Sequence, residues 1–253
     1  MTLIKYSIAA GAVAIIAALT FILLTRYDPT QPYFSSHSYW FAKTADLKDV
    51  KRSITPRLST ELAEKGMNLN DPVFLRIFKE EAALEVWKQQ GSQYQLFKTY
   101  EICSYSGKLG PKLKEGDKQA PEGFYRVSSN QLNPHSVNHL AFNIGFPNSY
   151  DRANNRTGSF LMVHGNCLSA GCYAMTDAHM EEIYLLVETA QKGGQRSVPT
   201  HIFPFRMTET NMIKHASSEW VPFWENLQEG YSWFEESRTP PRISVSNKSY
   251  TFN

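Results

Sequence analysis

Twenty consecutive residues without a charged side chain, Tyr6 to Thr25, set the first limit on how this chain can fold. They are rich in Ala, Ile and Leu and are bracketed by Lys5 and Arg26. As a helix rising about 1.5 Å per residue they reach about 30 Å, the thickness of a bilayer's hydrocarbon core. A cleaved signal peptide would need a small-residue site just after a shorter apolar run. Here the triplet Ala12-Val13-Ala14 sits inside the run and Phe21-Ile22-Leu23-Leu24 follows it. Residues 1–26 are therefore expected to form an uncleaved signal anchor. One positive charge on either side gives no orientation by itself.

Lys5 and Arg26 are the only charged residues in the first 26, so residues 27–253 hold 24 basic and 24 acidic side chains. That balance leaves nucleic-acid binding without an electrostatic footprint. With 42% hydrophobic and 13% aromatic residues the chain is neither disordered nor collagen-like. Residues 27–58, with Pro29, Pro32 and Pro56, read as a polar stalk. Residues 59–253 read as one domain, ample for a single buried core. Within it Ser59–Lys65 is predicted to be a short helix closed by Gly66, and Asp71-Pro72 to open another, with Phe74, Ile77 and Phe78 at helical spacing. Strands are predicted around Leu84–Val86, Gln93–Ile102, Phe124–Val127, Leu140–Ile144, Ser159–Val163, Thr200–Phe203, Arg242–Val245 and Tyr250–Phe252. Two longer helices interrupt them. One is capped by Thr176 or Asp177, with Met180, Ile183, Tyr184 and Val187 on one face. The other runs from about Ser218 to Glu236 with an aromatic stripe, Trp220, Phe223, Trp224, Leu227, Tyr231 and Phe234, expected to be core. The fold class is thus mixed α+β and β-rich.

The chemistry concentrates in Val163-His164-Gly165-Asn166-Cys167-Leu168-Ser169-Ala170-Gly171-Cys172. Small residues between His164 and Cys172 let the chain fold back, so Cys172 is expected to return to within hydrogen-bond reach of the imidazole. A thiol is mostly protonated at neutral pH, and a neighbouring imidazole that takes its proton makes the attacking thiolate. The Gly165 carbonyl can hold the other imidazole nitrogen, Gly171 leaves room for a carbonyl, and backbone N–H groups near Gly171 and Tyr173 can receive an oxyanion. From the residues alone two other readings stay open. The cysteines and His164 can be buried core residues, or His164, Cys167, Cys172 and His179 can be zinc ligands. His135 and His139, four apart, lie in a turn-then-strand pattern that argues against a helical metal pair.

The His-Gly…Ser-x-Gly-Cys run resembles the active-site signature of the L,D-transpeptidase, or YkuD-domain, family. Ser106-Gly107-Lys108-Leu109-Gly110-Pro111-Lys112 leading to Gln119-Ala120-Pro121-Glu122-Gly123-Phe124-Tyr125 is similar to that family's Ser-x-Gly…Thr-Pro-x-Gly-x-Phe segment. Asn133-Pro134, Leu140–Asn143, Phe146-Pro147-Asn148 and Gly158-Ser159-Phe160 extend the likeness over about residues 60–252, and the variant is similar to the membrane-anchored YafK-like branch. Two departures stand out: Ala170 replaces the second histidine of the common Ser-His-Gly-Cys form, and Tyr173-Ala174 replaces a hydrophobic-Arg/Asn pair.

The resemblance implies a curved sheet or sandwich, a thiol nucleophile at Cys172 and a base at His164. It implies no cofactor and no metal. The substrate it implies is meso-diaminopimelate in peptidoglycan stem peptides, at the periplasmic face of a bacterial inner membrane that residues 6–25 would span. The nearer branch implies an amidase that hydrolyses the linkage between diaminopimelate and the lysine of an outer-membrane lipoprotein. The wider family implies a transpeptidase forming 3–3 crosslinks or attaching lipoprotein, and a non-catalytic peptidoglycan-binding module is the remaining alternative. Arg152, Arg156 and Ser169 are candidates for holding a stem-peptide carboxylate. In an oxidising compartment three cysteines leave one unpaired. Cys103 is expected to pair with Cys167 and leave Cys172 free; a Cys167–Cys172 bond would block the nucleophile.

Overall fold

The computed structural model describes residues 45–253. The expected anchor and the first part of the stalk lie outside them. Asp46 opens the first helix, α1 (Leu47–Ala63), its carboxylate accepting the Lys48 and Asp49 N–H groups. Val50, Ile54, Leu58 and Leu62 form one buried stripe along it. The helix therefore takes up residues 47–58, expected in the stalk. Pro56 hid it, since a proline inside a helix removes a donor and crowds the preceding turn. Here Pro56 faces solvent while Ile54 and Leu58 on either side are buried.

The segment after Asp71-Pro72 is a strand, not a helix. β1 (Val73–Phe78) is buried at all six positions. It pairs antiparallel with β2 (Ala83–Gln90) on one side and parallel with β10 (Ser197–Phe203) on the other. A central strand covered on both faces loses the alternation that marks a half-exposed one, and its apolar run then mimics helical spacing. The sheet is completed by β3 (Gln93–Glu101) outside β2 and by β5 (Gly123–Ser128) outside β10.

Three long helices, one more than expected, cover this sheet. Leu75, Ile77 and Val86 pack with α1 and with α3 (Asp177–Lys192), which is capped by the Thr176 hydroxyl. On the other face lie α5 (Val221–Ser237) and a terminal hairpin, β11 (Ile243–Ser246) and β12 (Ser249–Phe252). The aromatic stripe of α5 is core: Phe223, Trp224, Leu227, Tyr231 and Phe234 are buried against Phe78, Phe203, Phe74 and Tyr250. Gly230 is needed there, because a Cβ would stand 2.5 Å from Phe252 and 2.6 Å from Phe124.

A second five-stranded sheet carries the chemistry. Its order is β4 (Ser104–Tyr105), β9 (Tyr173–Ala174), β8 (Met162–His164), β7 (Ala141–Asn143) and β6 (Leu132–Asn133). Only β8 and β9 run parallel in it. Leu140, Phe142, Val163, Tyr173 and Met175 join the core under the first sheet, so the two sheets share one interior. Two short helices, α2 (Ser149–Ala153) and α4 (Glu209–Lys214), lie in connections.

Candidate active site

The chain leaves β8 at His164, turns through Gly165–Gly171 and re-enters beside itself as β9, with Val163 opposite Tyr173 and His164 opposite Ala174. That register brings Cys172 opposite Met162, whose N–H points at the thiol sulfur at 3.4 Å. His164 is the last residue of β8 and Cys172 immediately precedes β9, so the two stand on adjacent parallel strands of one sheet. Among the described residues no hydrogen bond joins the two side chains. The thiol lies 3.8 Å from the Phe160 carbonyl instead.

The turn is held from every side. Asn166 and Cys167 take left-handed backbone angles, φ +70° and +47°. The Asn166 N–H donates to Asp177 Oδ1 at 2.7 Å, and the Cys167 N–H to the Met175 carbonyl at 3.2 Å. A disulfide joins Cys167 to Cys103, leaving Cys172 a free, half-buried thiol. The bridge takes Cys167 out of the zinc set His164, Cys167, Cys172 and His179. Ser169 donates to the Cys172 carbonyl at 2.7 Å, and its hydroxyl lies 3.1 Å from that of Ser106, which also receives the Gly171 N–H. Gly165 is buried so tightly that a Cβ would come 2.6 Å from Asp177 and 2.9 Å from His139. His139 itself is fixed by Glu181, 2.7 Å from its Nε2. Ser106, Asp177 and Glu181 were missed as supports of the loop. Thr176-Asp177, just after the cysteine and opening a helix, was the available signal for the second of them.

His164 is buried, and its Nδ1 donates to the Gly165 carbonyl at 2.6 Å. A carbonyl only accepts, so Nδ1 carries the hydrogen and Nε2 is left with its lone pair. Burial lowers the His164 pKa against the opposing pull of that hydrogen bond, so the imidazole is neutral near neutrality. Burial raises the Cys172 thiol, partly opposed by the Met162 N–H and by Lys112. The resting pair is therefore neutral thiol and neutral base. Turnover is expected to fall on acidification with an inflection below the ordinary imidazole value of 6.5. Alkylation of Cys172 is expected to inflect above the ordinary thiol value of 9.0. An alkylation inflection near neutrality would instead reveal a preformed thiolate–imidazolium pair. Stability follows with definite sign. An unfolded His164 takes a proton as pH falls through about 6.5 while the folded one resists, so stability is lost progressively below that pH. An unfolded Cys172 ionises first on the alkaline side, so stability also falls above the ordinary thiol value of 9.0.

Several sequence-based assignments change. Arg156 is no substrate ligand: it is buried, 3.2 Å from Asp151, with its guanidinium 4.9 Å from the Tyr150 ring and 4.6 Å from that of Phe223. Ser169 is committed within the loop. The Gly171 N–H is taken by Ser106 and cannot receive an oxyanion, and Tyr173 is held in the sheet between β8 and β4, its hydroxyl on the Pro121 carbonyl at 2.7 Å. None of the hydrogen bonds among the described residues takes the Cys172 N–H. Arg152 sits on α2 beside a cavity whose walls include neither Cys172 nor His164.

A disulfide that closes a separation of 64 residues stabilises mainly by constraining the unfolded chain. Removing it as Cys103→Ala/Cys167→Ala is expected to cost about 4 kcal/mol and lower the melting temperature by roughly 8–16 °C in a domain of this size. A thermal melt of the two proteins checks this; an unchanged midpoint would contradict it.

Residues 73–213, from β1 into α4, match the model of the L,D-transpeptidase catalytic domain, YkuD. The chain belongs to the L,D-transpeptidase family. Across 206 residues, 81% of this chain and 82% of the relative, it is 49% identical to a protein of Escherichia coli K12 named "Putative L,D-transpeptidase YafK". Among solved structures it is similar to the helical cell shape determining protein Pgp2 of Campylobacter jejuni, at 18% identity and TM-score 0.43 over 75% of this chain and 80% of that one. Bd1075 of Bdellovibrio bacteriovorus follows at 21% identity and TM-score 0.37, over 70% and 78%. The L,D-transpeptidase domain is cysteine-dependent and acts on peptidoglycan. In this member the free cysteine of the matched region is Cys172. The α5 helix and the terminal hairpin lie beyond the match, so the face of the first sheet opposite α3 is covered by elements outside it.

Proposed function

We propose that this chain is a peptidoglycan amidase that hydrolyses the bond between meso-diaminopimelate and the lysine of a tethered outer-membrane lipoprotein. Its workplace in this reading is the periplasmic face of the inner membrane, where residues 6–25 anchor it. The observation that carries the chemistry is the His164 imidazole, buried and tied at Nδ1 at the end of β8, beside the adjacent strand that the free Cys172 thiol precedes. The Cys172 sulfur attacks the diaminopimelate carbonyl carbon as His164 Nε2 takes the thiol proton. The Cys172 N–H supports the oxyanion. The C–N bond then breaks, the lysine amine leaves with the proton from His164, and a thioester remains. Water, deprotonated by His164, attacks that thioester and frees the carboxylate and the thiol.

What favours water as acceptor is the pair after the nucleophile. Tyr173 and Ala174, both fully buried, stand where an Arg or Asn could hold the carboxylate of an acceptor stem. Incubating the full-length protein with lipoprotein-bearing sacculi and analysing the muropeptides by mass spectrometry tests this. Release of lipoprotein with unaltered 3–3 crosslinks is expected. New 3–3 crosslinks without release would instead make the chain a transpeptidase, and neither product would leave a binding module.

A further inference from the structure

A cavity of about 560 Å3 opens between β5, the segment from Gly145 to Arg152 that includes the start of α2, and the terminal hairpin. That volume lies within the roughly 300–1,000 Å3 of small-ligand sites. Its lining includes Arg126 and Arg152 and no carboxylate among the described residues. Both arginines are exposed, and neither makes an ion pair among the described residues. Arg126 reaches Ser197 Oγ at 3.2 Å, and Arg152 reaches the Pro147 carbonyl and Ser149 Oγ, all neutral acceptors. The carboxylate next in sequence, Asp151, is committed elsewhere: it accepts from Arg156, the Tyr125 hydroxyl and the Asn148 N–H. The walls include the aromatic rings of Phe124, Tyr150 and Tyr250.

His201 supplies the second observation. It lines the same cavity, is only 2% exposed, and its Nδ1 has no hydrogen-bond partner among the described residues. Its ring stands edge-on to Phe74 and Phe124, with centroids 4.6 and 4.7 Å away. Burial, with Arg76 and Arg126 nearby, keeps it neutral. Buried polar atoms in folded proteins are nearly always paired, and this wall of the cavity holds an exception.

We propose that this cavity is a second binding site, separate from the thiol, for a carboxylate-bearing peptide. Arg126 and Arg152 take the carboxylates, and the aromatic wall takes the body of the ligand. The identification of that peptide as an acidic peptidoglycan stem rests on the proposed function; the cavity and its charge do not. Such a site would hold one stem while the thiol works on another and so keep the enzyme on the polymer.

Calorimetric titration of the full-length Cys172→Ala protein with a reduced disaccharide-tetrapeptide tests it, beside the same compound with its carboxyl groups amidated. Charge-assisted contacts of this kind predict about tenfold weaker binding for Arg126→Gln or Arg152→Gln and about a hundredfold for both together. The amidated probe should bind the parent no better than the free acid binds the double variant. Because both arginines are exposed, the variants should keep the parent's melting temperature and, with Cys172 restored, its alkylation rate. A diazirine-bearing probe should label peptides from residues 145–152 and 243–250. Equal affinity across the arginine series, or labelling confined to residues 160–172, would overturn the proposal. Arginine-dependent binding by a protein that turns over no sacculi would strike at the reaction and leave this site standing.

Discussion

Replacing Cys172 with alanine is expected to reduce turnover of peptidoglycan at least about 10⁴-fold while leaving the fold intact, because removal of a nucleophile leaves only binding and the oxyanion donor. The thiol's contacts are weak, a Met162 N–H at 3.4 Å and the Phe160 carbonyl at 3.8 Å, so a methyl group in its place leaves little unsatisfied. His164 is different. His164→Ala should lower turnover about 10²–10⁴-fold through loss of the base. It also strips the buried Gly165 carbonyl of its donor, which costs about 1–3 kcal/mol. His164→Gln, whose amide can restore that donor, separates the two effects: stability should recover and turnover should not. Steady-state rates and melting temperatures of the three variants read this out. A His164→Gln protein with near-parent turnover would remove the imidazole from the mechanism.

A stability effect similar in size to the disulfide's is expected at Glu122. Its Oε1 lies 2.9 Å from Lys79 Nζ and accepts the Gly110 N–H at 2.7 Å, and its Oε2 accepts from Trp224 Nε1 at 2.9 Å. Both charged side chains are wholly buried. Lys79 also donates to the carbonyls of Lys108 and Gly110, and burial pulls its pKa down against the attraction of Glu122. Breaking such a pair from one side strands the other charge and costs about 3–5 kcal/mol, so Glu122→Ala should lower the melting temperature by roughly 6–20 °C. The double variant Lys79→Met/Glu122→Gln should lose less than the sum of its single changes, because no uncompensated charge remains. Strict additivity would contradict the pairing. The cluster also anchors the Gly107–Gln119 stretch that follows Ser106, whose hydroxyl holds the Gly171 N–H, so the destabilised variants should lose turnover before they unfold.

Much of this was readable where short-range pattern and chemistry coincide. The spacing of Met180, Ile183, Tyr184 and Val187 and the Thr176 cap locate α3, and the aromatic stripe locates the buried face of α5. The small residues between His164 and Cys172 predict that the chain folds back on itself, and β9 does return beside β8, but in parallel register and, among the described residues, without a hydrogen bond between thiol and imidazole. Where partners lie far away in sequence, pattern failed. Phe74, Ile77 and Phe78 have helical spacing, yet they sit in a strand whose partners are residues 83–88 and 200–203. Pro56 reads as part of a stalk because nothing nearby shows that α1 packs on α3, with Arg57 reaching Glu182 at 2.6 Å. Arg156 looked like a ligand because Phe223, one of the rings against its guanidinium, is distant in sequence. Gly171 looked like an oxyanion donor because Ser106, which takes its N–H, lies 65 residues upstream.

The central claim is that Cys172 carries the acyl group between donor and acceptor. Rapid quenching of the full-length protein with a stem-peptide substrate, followed by intact-mass measurement and peptide mapping, tests it most directly. A thioester adduct on Cys172 that forms and decays with turnover, and is absent from Cys172→Ala, is the expected result. Turnover without any adduct, or turnover that survives Cys172→Ala, would contradict it.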